Sequence, residues 1–468
     1  MGFVLSSLYF VTYYLTPPVL FGRLAEARIE LILAALVCLV SLPALKKSLI
    51  LKTPQSLASI GLFVAGFLSV LIGMHWGGGA IRAFAAIAPC AIAYFLVCLH
   101  CKTKKKVQGI VLVLLLVCLF VIAHGYIDLR YGIAGGNSLQ PGSTESASED
   151  QWNIDHPYVL VMNNDAGDSF YRLRGLGLIN DPNDFGQLLA CTIPLTFIFW
   201  RPDKKLWNSV FVLLPICMLL FGAYLTHSRG TLVALMAVAV VAAKRRIGIL
   251  PALLFAGFLF AAAMALQFTG GREISAQSGS DRTALWSSGL QMMKSHPIFG
   301  VGLGSFADNC DGCGHTAHNS VMVCAGELGM FGLCCWSLFL FPTIRDALAI
   351  ASPAKVGDEE PKVTEVGAIS PRAENAEEIG KAEINDLGRL LVLSLTGFLV
   401  AGWFLSRAYV MTFFLLGGMV EVVYEMALRR GMIASRLPLA RVLPYSGGLA
   451  VSLVLLMYVV LRIMNLMH

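Results

Sequence analysis

The sequence predicts an all-α, polytopic membrane protein, and three observations carry that prediction. Hydrophobic residues make up 57% of the 468 and charged residues 14%, against about 45–50% and about 25% in soluble domains. Mean hydropathy is +0.72. The apolar residues fall in blocks of about twenty, the length of helix that crosses a bilayer. The lysines and arginines gather between blocks, as they do where positive loops stay in the cytoplasm. This composition excludes a soluble enzyme, a nucleic-acid module and a disordered scaffold. The net charge of +6 belongs to those basic loops and implies no nucleic-acid partner.

Thirteen apolar runs are expected to be helices: 3–20, 28–45, 55–73, 80–99, 107–125, 184–200, 207–225, 229–243, 247–267, 318–341, 389–405, 408–427 and 447–465. Pro17-Pro18 interrupts the first, so the expected number of spans is twelve or thirteen. Met1-Gly2-Phe3-Val4 has no basic leader and no small-residue cleavage site, so the first run is expected to be retained. Five basic clusters (Lys46-Lys47 with Lys52; Lys102 with Lys104 to Lys106; Arg201 with Lys204-Lys205; Lys244 to Arg246; Arg429-Arg430 with Arg436 and Arg441) fall on one side if thirteen spans alternate. That side is assigned to the cytoplasm.

The chain then divides into N-terminal transmembrane helices (1–125), a first outer loop (126–183) and central transmembrane helices (184–267). A second outer loop follows (268–317), with a helix near 282–295 lying on the leaflet and capped by Asp281. A motif-bearing helix (318–341), a cytoplasmic linker (342–388) and C-terminal transmembrane helices (389–468) complete it. The linker holds Asp358-Glu359-Glu360, Glu374 and Glu377-Glu378, and is expected to be disordered because it has too little apolar surface to fold. Residues 136–150 have the same character.

Arginine is disfavoured at the outer surface, yet Arg82, Arg172, Arg174, Arg229, Arg272, Arg282 and Arg407 lie there in this reading. One such residue is explained by snorkelling. The set points to an anionic ligand, because the guanidinium fork suits phosphate and stays charged. In Thr226-His227-Ser228-Arg229-Gly230, Ser228 is a candidate N-cap, and a helix N-terminus there also favours an anion. In Asn180-Asp181-Pro182-Asn183-Asp184-Phe185-Gly186, a turn with an N-cap and a proline at the helix start stands beside a second reading as lining of a sugar channel. Of twelve cysteines, only Cys310 and Cys313 lie in a polar loop. With His315 and His318 they form a compressed zinc-like spacing, although an oxidising outer location favours a disulfide or free thiols.

His318-Asn319, nine residues, and then Gly329-Met330-Phe331-Gly332 match the H-[NSQ]-x9-G-x-x-G pattern of the O-antigen ligase and polymerase superfamily. Ser228-Arg229-Gly230, Arg282-x3-Trp286 with Pro297 and Gly300-x-Gly302, and the Asn180–Gly186 segment also resemble stretches of that family. The resemblance covers about 172–332. It implies a C-type membrane glycosyltransferase, independent of metal and cofactor, that faces the periplasm from the bacterial cytoplasmic membrane. Its donor would be a glycan on polyprenyl (undecaprenyl) pyrophosphate, and its acceptor a lipid core or a growing glycan. The ligase and polymerase forms share these motifs, and a lipid-linked-sugar transporter is the alternative from another class.

The residues fit that chemistry. A pyrophosphate leaving group gathers negative charge, which Arg229 and Arg282 are placed to stabilise. Arg174, Arg272, Asn183, Asp184 and Asn319 are the candidate substrate-binding residues. His318 is the candidate general base, since an unperturbed imidazole titrates near pH 6.5, about neutral.

Overall fold

The computed structural model describes residues 1–21, 28–134, 157–163, 169–269, 276–310, 314–352, 371–433 and 435–466. Each of the thirteen apolar runs contains helix. The elements are α1 (Gly2–Leu15), α2 (Pro17–Leu20), α3 (Ile29–Lys46), α4 (Pro54–Leu68), α5 (Ala80–His100), α6 (Lys104–Ala134), α7 (Pro182–Thr196), α8 (Lys205–Asn208), α9 (Leu214–Leu225), α10 (Arg229–Ile247), α11 (Ile249–Ala265), α12 (Ala276–Ser295), α13 (Ser320–Ala351), α14 (Pro371–Gly402), α15 (Met411–Arg429) and α16 (Leu439–Leu466). A helical turn at Ser209–Leu213 joins α8 to α9.

Among the described residues, nine helices are long and apolar enough to cross a membrane. The other four expected spans are α1, α7, α10 and α11. α1 and α11 reach only 14 and 17 residues. α7 has 15 residues and is almost wholly enclosed by other helices, so its surface need not match lipid. α10 ends in Lys244-Arg245-Arg246. The polytopic all-α class thus stands, while length and apolarity alone identify fewer spans than the run count does.

Two sequence-based boundaries change. The linker expected over 342–388 contains the last turns of α13, and α14 begins at Pro371. Only 353–370 lie outside the described residues. The apolar side of 342–351, with Ala347 and Ile350 fully buried, had been outweighed by the charges that follow it. The helix expected near 282–295 starts at Ala276, so Asp281 lies inside it rather than at its cap. Leu285, Trp286, Leu290 and Met292 on that helix are buried, and it packs against α13 and α16. The segment 136–150 lies outside the described residues.

The connection between α6 and α7 also holds an antiparallel strand pair that no periodicity announced. β1 (Val159–Asn163) pairs with β2 (Ser169–Leu173) in the register Leu160↔Arg172. It packs on α6, and β2 also meets α9. The protein core runs through α5, α13, α14 and α15. There Phe398 and Phe413 stack 5.0 Å apart, and Phe339 meets Phe413 and Tyr94 edge-on.

α13 is broken once along its length. Gly329 has φ 63 and ψ −163, a region that side chains other than glycine's hydrogen exclude. In an unbroken helix the carbonyls of Gly326 and Glu327 would accept from Met330 and Phe331. Here they accept from Val301 (2.9 Å) and Gly302 (3.1 Å), while Met330 and Phe331 donate to Pro297 (2.8 Å) and Ile298 (3.1 Å). Two helical bonds have become four bonds to the loop 297–302. Glu327, just before the break, is buried among these elements. The glycines of the sequence pattern therefore build the scaffold: a Cβ at Gly329 would lie 2.5 Å from the Ile298 carbonyl oxygen.

The basic clusters gather at one end of the bundle. Lys47, Lys52, Lys102, Arg429 and Arg436 surround one cavity. Arg245 reaches Ser352 at the end of α13, and Arg430 reaches the Gly380 carbonyl in the first half of α14. The N-termini of α7, α10, α13 and α15 lie at the opposite end, where the candidate site is built.

We predict that Gly329→Ala lowers the thermal midpoint in detergent by the equivalent of about 1–3 kcal/mol. Gly257→Ala, whose new Cβ meets nothing within 4 Å, should leave the midpoint unchanged or slightly raised.

Candidate functional site

Three helix N-termini form the site, each opened by a capping side chain. At α7, Asp181 accepts from the Asn183 amide (2.7 Å), with Pro182 in the first turn. At α10, Ser228 accepts from the Thr231 amide (3.2 Å). At α13, Asn319 accepts from the amides of Val321 and Met322 (2.9 and 3.0 Å). The last two share a local design. The residue before each cap is a histidine in the left-handed region, His227 at φ 47 and His318 at φ 46, an uncommon conformation for a side-chain-bearing residue. Such N-termini carry partial positive charge.

The connection 403–410 between α14 and α15 binds these ends together. The His318 amide donates to the Ser406 hydroxyl (2.8 Å), and that hydroxyl donates to Thr316 (2.8 Å). Asn319 donates to the Trp403 carbonyl (3.0 Å), and Ser320 to the Leu405 carbonyl (2.8 Å). Arg407 forms an ion pair with Asp184, which is 6% exposed, through both Nε (2.7 Å) and a terminal nitrogen. From α12, Trp286 donates to the Ala317 carbonyl (2.9 Å) and meets Trp403 edge-on.

The arginines divide by their contacts. Arg172 is buried; its Nε donates to the Thr226 carbonyl (2.9 Å) and a terminal nitrogen to Asn183 (3.0 Å). It ties β2 to the entrances of α10 and α7. Arg174 is buried and donates to the Pro157 carbonyl (3.1 Å). Burial lowers its pKa from the ordinary arginine range, and Asp181 opposes that shift.

Arg229 and Arg282 are half-buried and lie near one another. Burial pushes the Arg282 guanidinium down from its ordinary range, and the charge of Arg229 pushes it the same way. The Arg282 guanidinium lies 5.4 Å from the centre of the Phe404 ring. A Cβ at Gly230 would come 3.4 Å from Phe404, so α10 and α12 meet the same aromatic residue. Among the described residues Arg282 makes no ion pair.

Of the residues singled out from sequence, Arg229, Arg282, His318, Asn319, Asn183 and Asp184 thus belong to elements joined through Arg172 and 403–410. Arg174 lies at the flank, beside Pro157. Arg272 lies outside the described residues, as does Cys313. Cys310 is disulfide-bonded, so its sulfur is not a free thiolate ligand. Asn319 uses its carbonyl oxygen on two amides and its amino group on Trp403, which makes it the cap of α13. Trp403, Phe404 and Ser406 were missed. Their one sequence signal was an arginine, Arg407, in the short break between two apolar runs.

A family model matches residues 213–337. That model describes the O-antigen ligase family, which this segment resembles. The matched segment contains Arg229, Arg282, His318, Asn319 and the Gly329 break, and it supports a ligase- or polymerase-type membrane enzyme acting in glycan assembly. Lipid-linked glycans and membrane lipid are the general partners of that family. No curated protein matches the chain. Within the matched segment the His318-Asn319 end of the pattern lies at a helix entrance, and Gly329 makes the break that joins α13 to the loop 297–302.

The Arg407–Asp184 pair tests the architecture. Arg407→Ala strands the Asp184 carboxylate in a buried place, at a cost of about 1–3 kcal/mol. Pairing it with Asp184→Asn should recover part of the loss. The check is a double-mutant cycle of unfolding midpoints in detergent, and additive effects would count against the pair.

Proposed function

We propose that the chain transfers a glycan from a polyprenyl (undecaprenyl) pyrophosphate donor to a lipid- or glycan-linked acceptor. The reaction takes place at the outer, periplasmic face of the bacterial cytoplasmic membrane and needs no metal. One observation carries this reading: half-buried Arg229, at the start of α10 beside Gly230, and half-buried Arg282 on α12 converge on the same Phe404, within the segment that matches the O-antigen ligase family. Neighbouring like charges disfavour each other, and a pyrophosphate between them turns that repulsion into attraction. The partial positive charge of the α10 N-terminus acts in the same direction.

The acceptor hydroxyl oxygen attacks the anomeric carbon, and its proton passes to the His318 imidazole. The bond from the anomeric carbon to the phosphate oxygen breaks, and its electron pair leaves on the pyrophosphate. Arg229 and Arg282 stabilise that charge as it develops, the role a divalent ion plays in other transferases. Asn319 acts by fixing the backbone that presents His318. Asn183 and Asp184, engaged by Arg172 and Arg407, shape the wall on the α7 side. A polymerase would use the same step with a growing glycan as acceptor, serving polysaccharide assembly in place of lipopolysaccharide completion.

Two predictions follow from these roles. In proteoliposomes containing a lipid-pyrophosphate-linked oligosaccharide and EDTA, wild type should transfer glycan. Arg229→Ala and Arg282→Ala should each lose about 100-fold or more while keeping the wild-type elution profile. Normal transfer by Arg229→Ala, or a strict requirement for added divalent ion, would overturn the clamp. For His318→Ala, the residual rate should lose the acid limb of the pH–rate profile, because a base works only when deprotonated. A profile that keeps its limb would reduce His318 to a residue that aligns the acceptor.

A further inference from the structure

The end of the bundle away from the candidate site has its own built cavity, of about 520 Å³. It lies where the connection between α3 and α4 meets the C-terminal ends of α5 and α15. Lys47, Lys52, Lys102, Arg429 and Arg436 line it, together with Glu421 and Glu425. Both carboxylates are engaged. Arg436 forks Glu421 at 2.9 and 2.6 Å and lies 3.7 Å from Glu425, and Arg429 meets Glu425 at 3.1 Å. Among the described residues the three lysines make no ion pair, so the cavity keeps an uncompensated positive charge.

Its walls are apolar. Val422, Met426, Leu49 and Ile50 face the same space, and Leu49 is 73% exposed beside Lys47 and Lys52. An open leucine among lysines suits a membrane interface, where chains and charged headgroups meet. Basic pockets between transmembrane helices are suited to anionic lipid headgroups. A soluble phosphate would meet the charge and leave the apolar wall unused. Glu425 is fourteen residues along α15 from Met411, about 20 Å, so this cavity is separate from the site at the helix entrances.

We propose that this cavity binds the phosphate headgroup of an anionic membrane lipid, with Lys47, Lys52 and Lys102 closing on the phosphate and the Val422–Met426 wall taking the start of an acyl chain. The assignment is independent of the donor-site reading.

The test is native mass spectrometry of the full chain released from detergent after incubation with phosphatidylglycerol or phosphatidylcholine. Wild type should retain phosphatidylglycerol about ten-fold over phosphatidylcholine. The triple variant Lys47→Gln, Lys52→Gln, Lys102→Gln should retain the two equally. All three positions are exposed, and Lys46 and Lys104 to Lys106 keep this end basic, so the variant should match wild type in its lipid-free melting midpoint. The triple Lys→Arg variant should keep the preference. Equal retention of both lipids by wild type, or an unchanged preference in the triple Gln variant, would overturn the site. Displacement of phosphatidylglycerol by millimolar inorganic phosphate, with phosphate retained instead, would overturn the lipid as its source.

Discussion

Buried backbone amides and carbonyls must be hydrogen-bonded, and this requirement is strictest within a bilayer. At Gly329 that constraint organises much of the molecule. The helix that begins beside His318 cannot open its backbone inside the protein unless something else bonds the four freed groups. The loop 297–302 does so, and in doing so it becomes fixed to α13. Its neighbour Leu303 donates from its amide to Ser69 at 3.1 Å, which carries the attachment on to the α4 end. The Gly329 that reads in sequence as part of a catalytic signature is, in the structure, the joint that seats the loop before α13.

Once that loop is seated, electrostatics sorts the arginines around these helix entrances. Arg172, Arg174 and Arg407 bond to carbonyls, an amide side chain or a carboxylate, and they join elements. Arg229 and Arg282 lie near each other, so their field adds in the space before the α10 entrance. The first three are thus cations that hold the frame. The helix ends, also positive, reinforce the second group.

Much of the fold was legible because lipid imposes a simple rule on length and apolarity, and all thirteen runs contain helix. The rule faltered where protein replaces lipid as the surroundings. α7 is enclosed, so it can be short and begin with Asn183 and Asp184. α12 packs on α13 and α16 and buries Leu285 and Trp286. The strand pair was invisible because β1 and β2 are each five residues long, too short for alternation to stand out in an apolar chain. At the site, Ser228 could be read as a cap because capping needs only a local pattern. The Arg407–Asp184 pair could not, since its partners are 223 residues apart. Trp403 and Ser406 act largely through carbonyl and hydroxyl contacts that no residue pattern encodes.

The connection 403–410 has a consequence for how this protein can vary. It touches α7, α12 and the entrance of α13, and it lies against Gly230 of α10, using successive residues whose groups point in different directions. Several of those contacts are made by backbone carbonyls, which any residue supplies, so many single exchanges there would be absorbed. An insertion or deletion would not be. One added residue would shift every later contact by a position, separating Arg407 from Asp184 while Trp403 kept its place. The segment is therefore permissive in spelling and rigid in length, a poor place for an epitope tag even though it is a loop between two apolar helices.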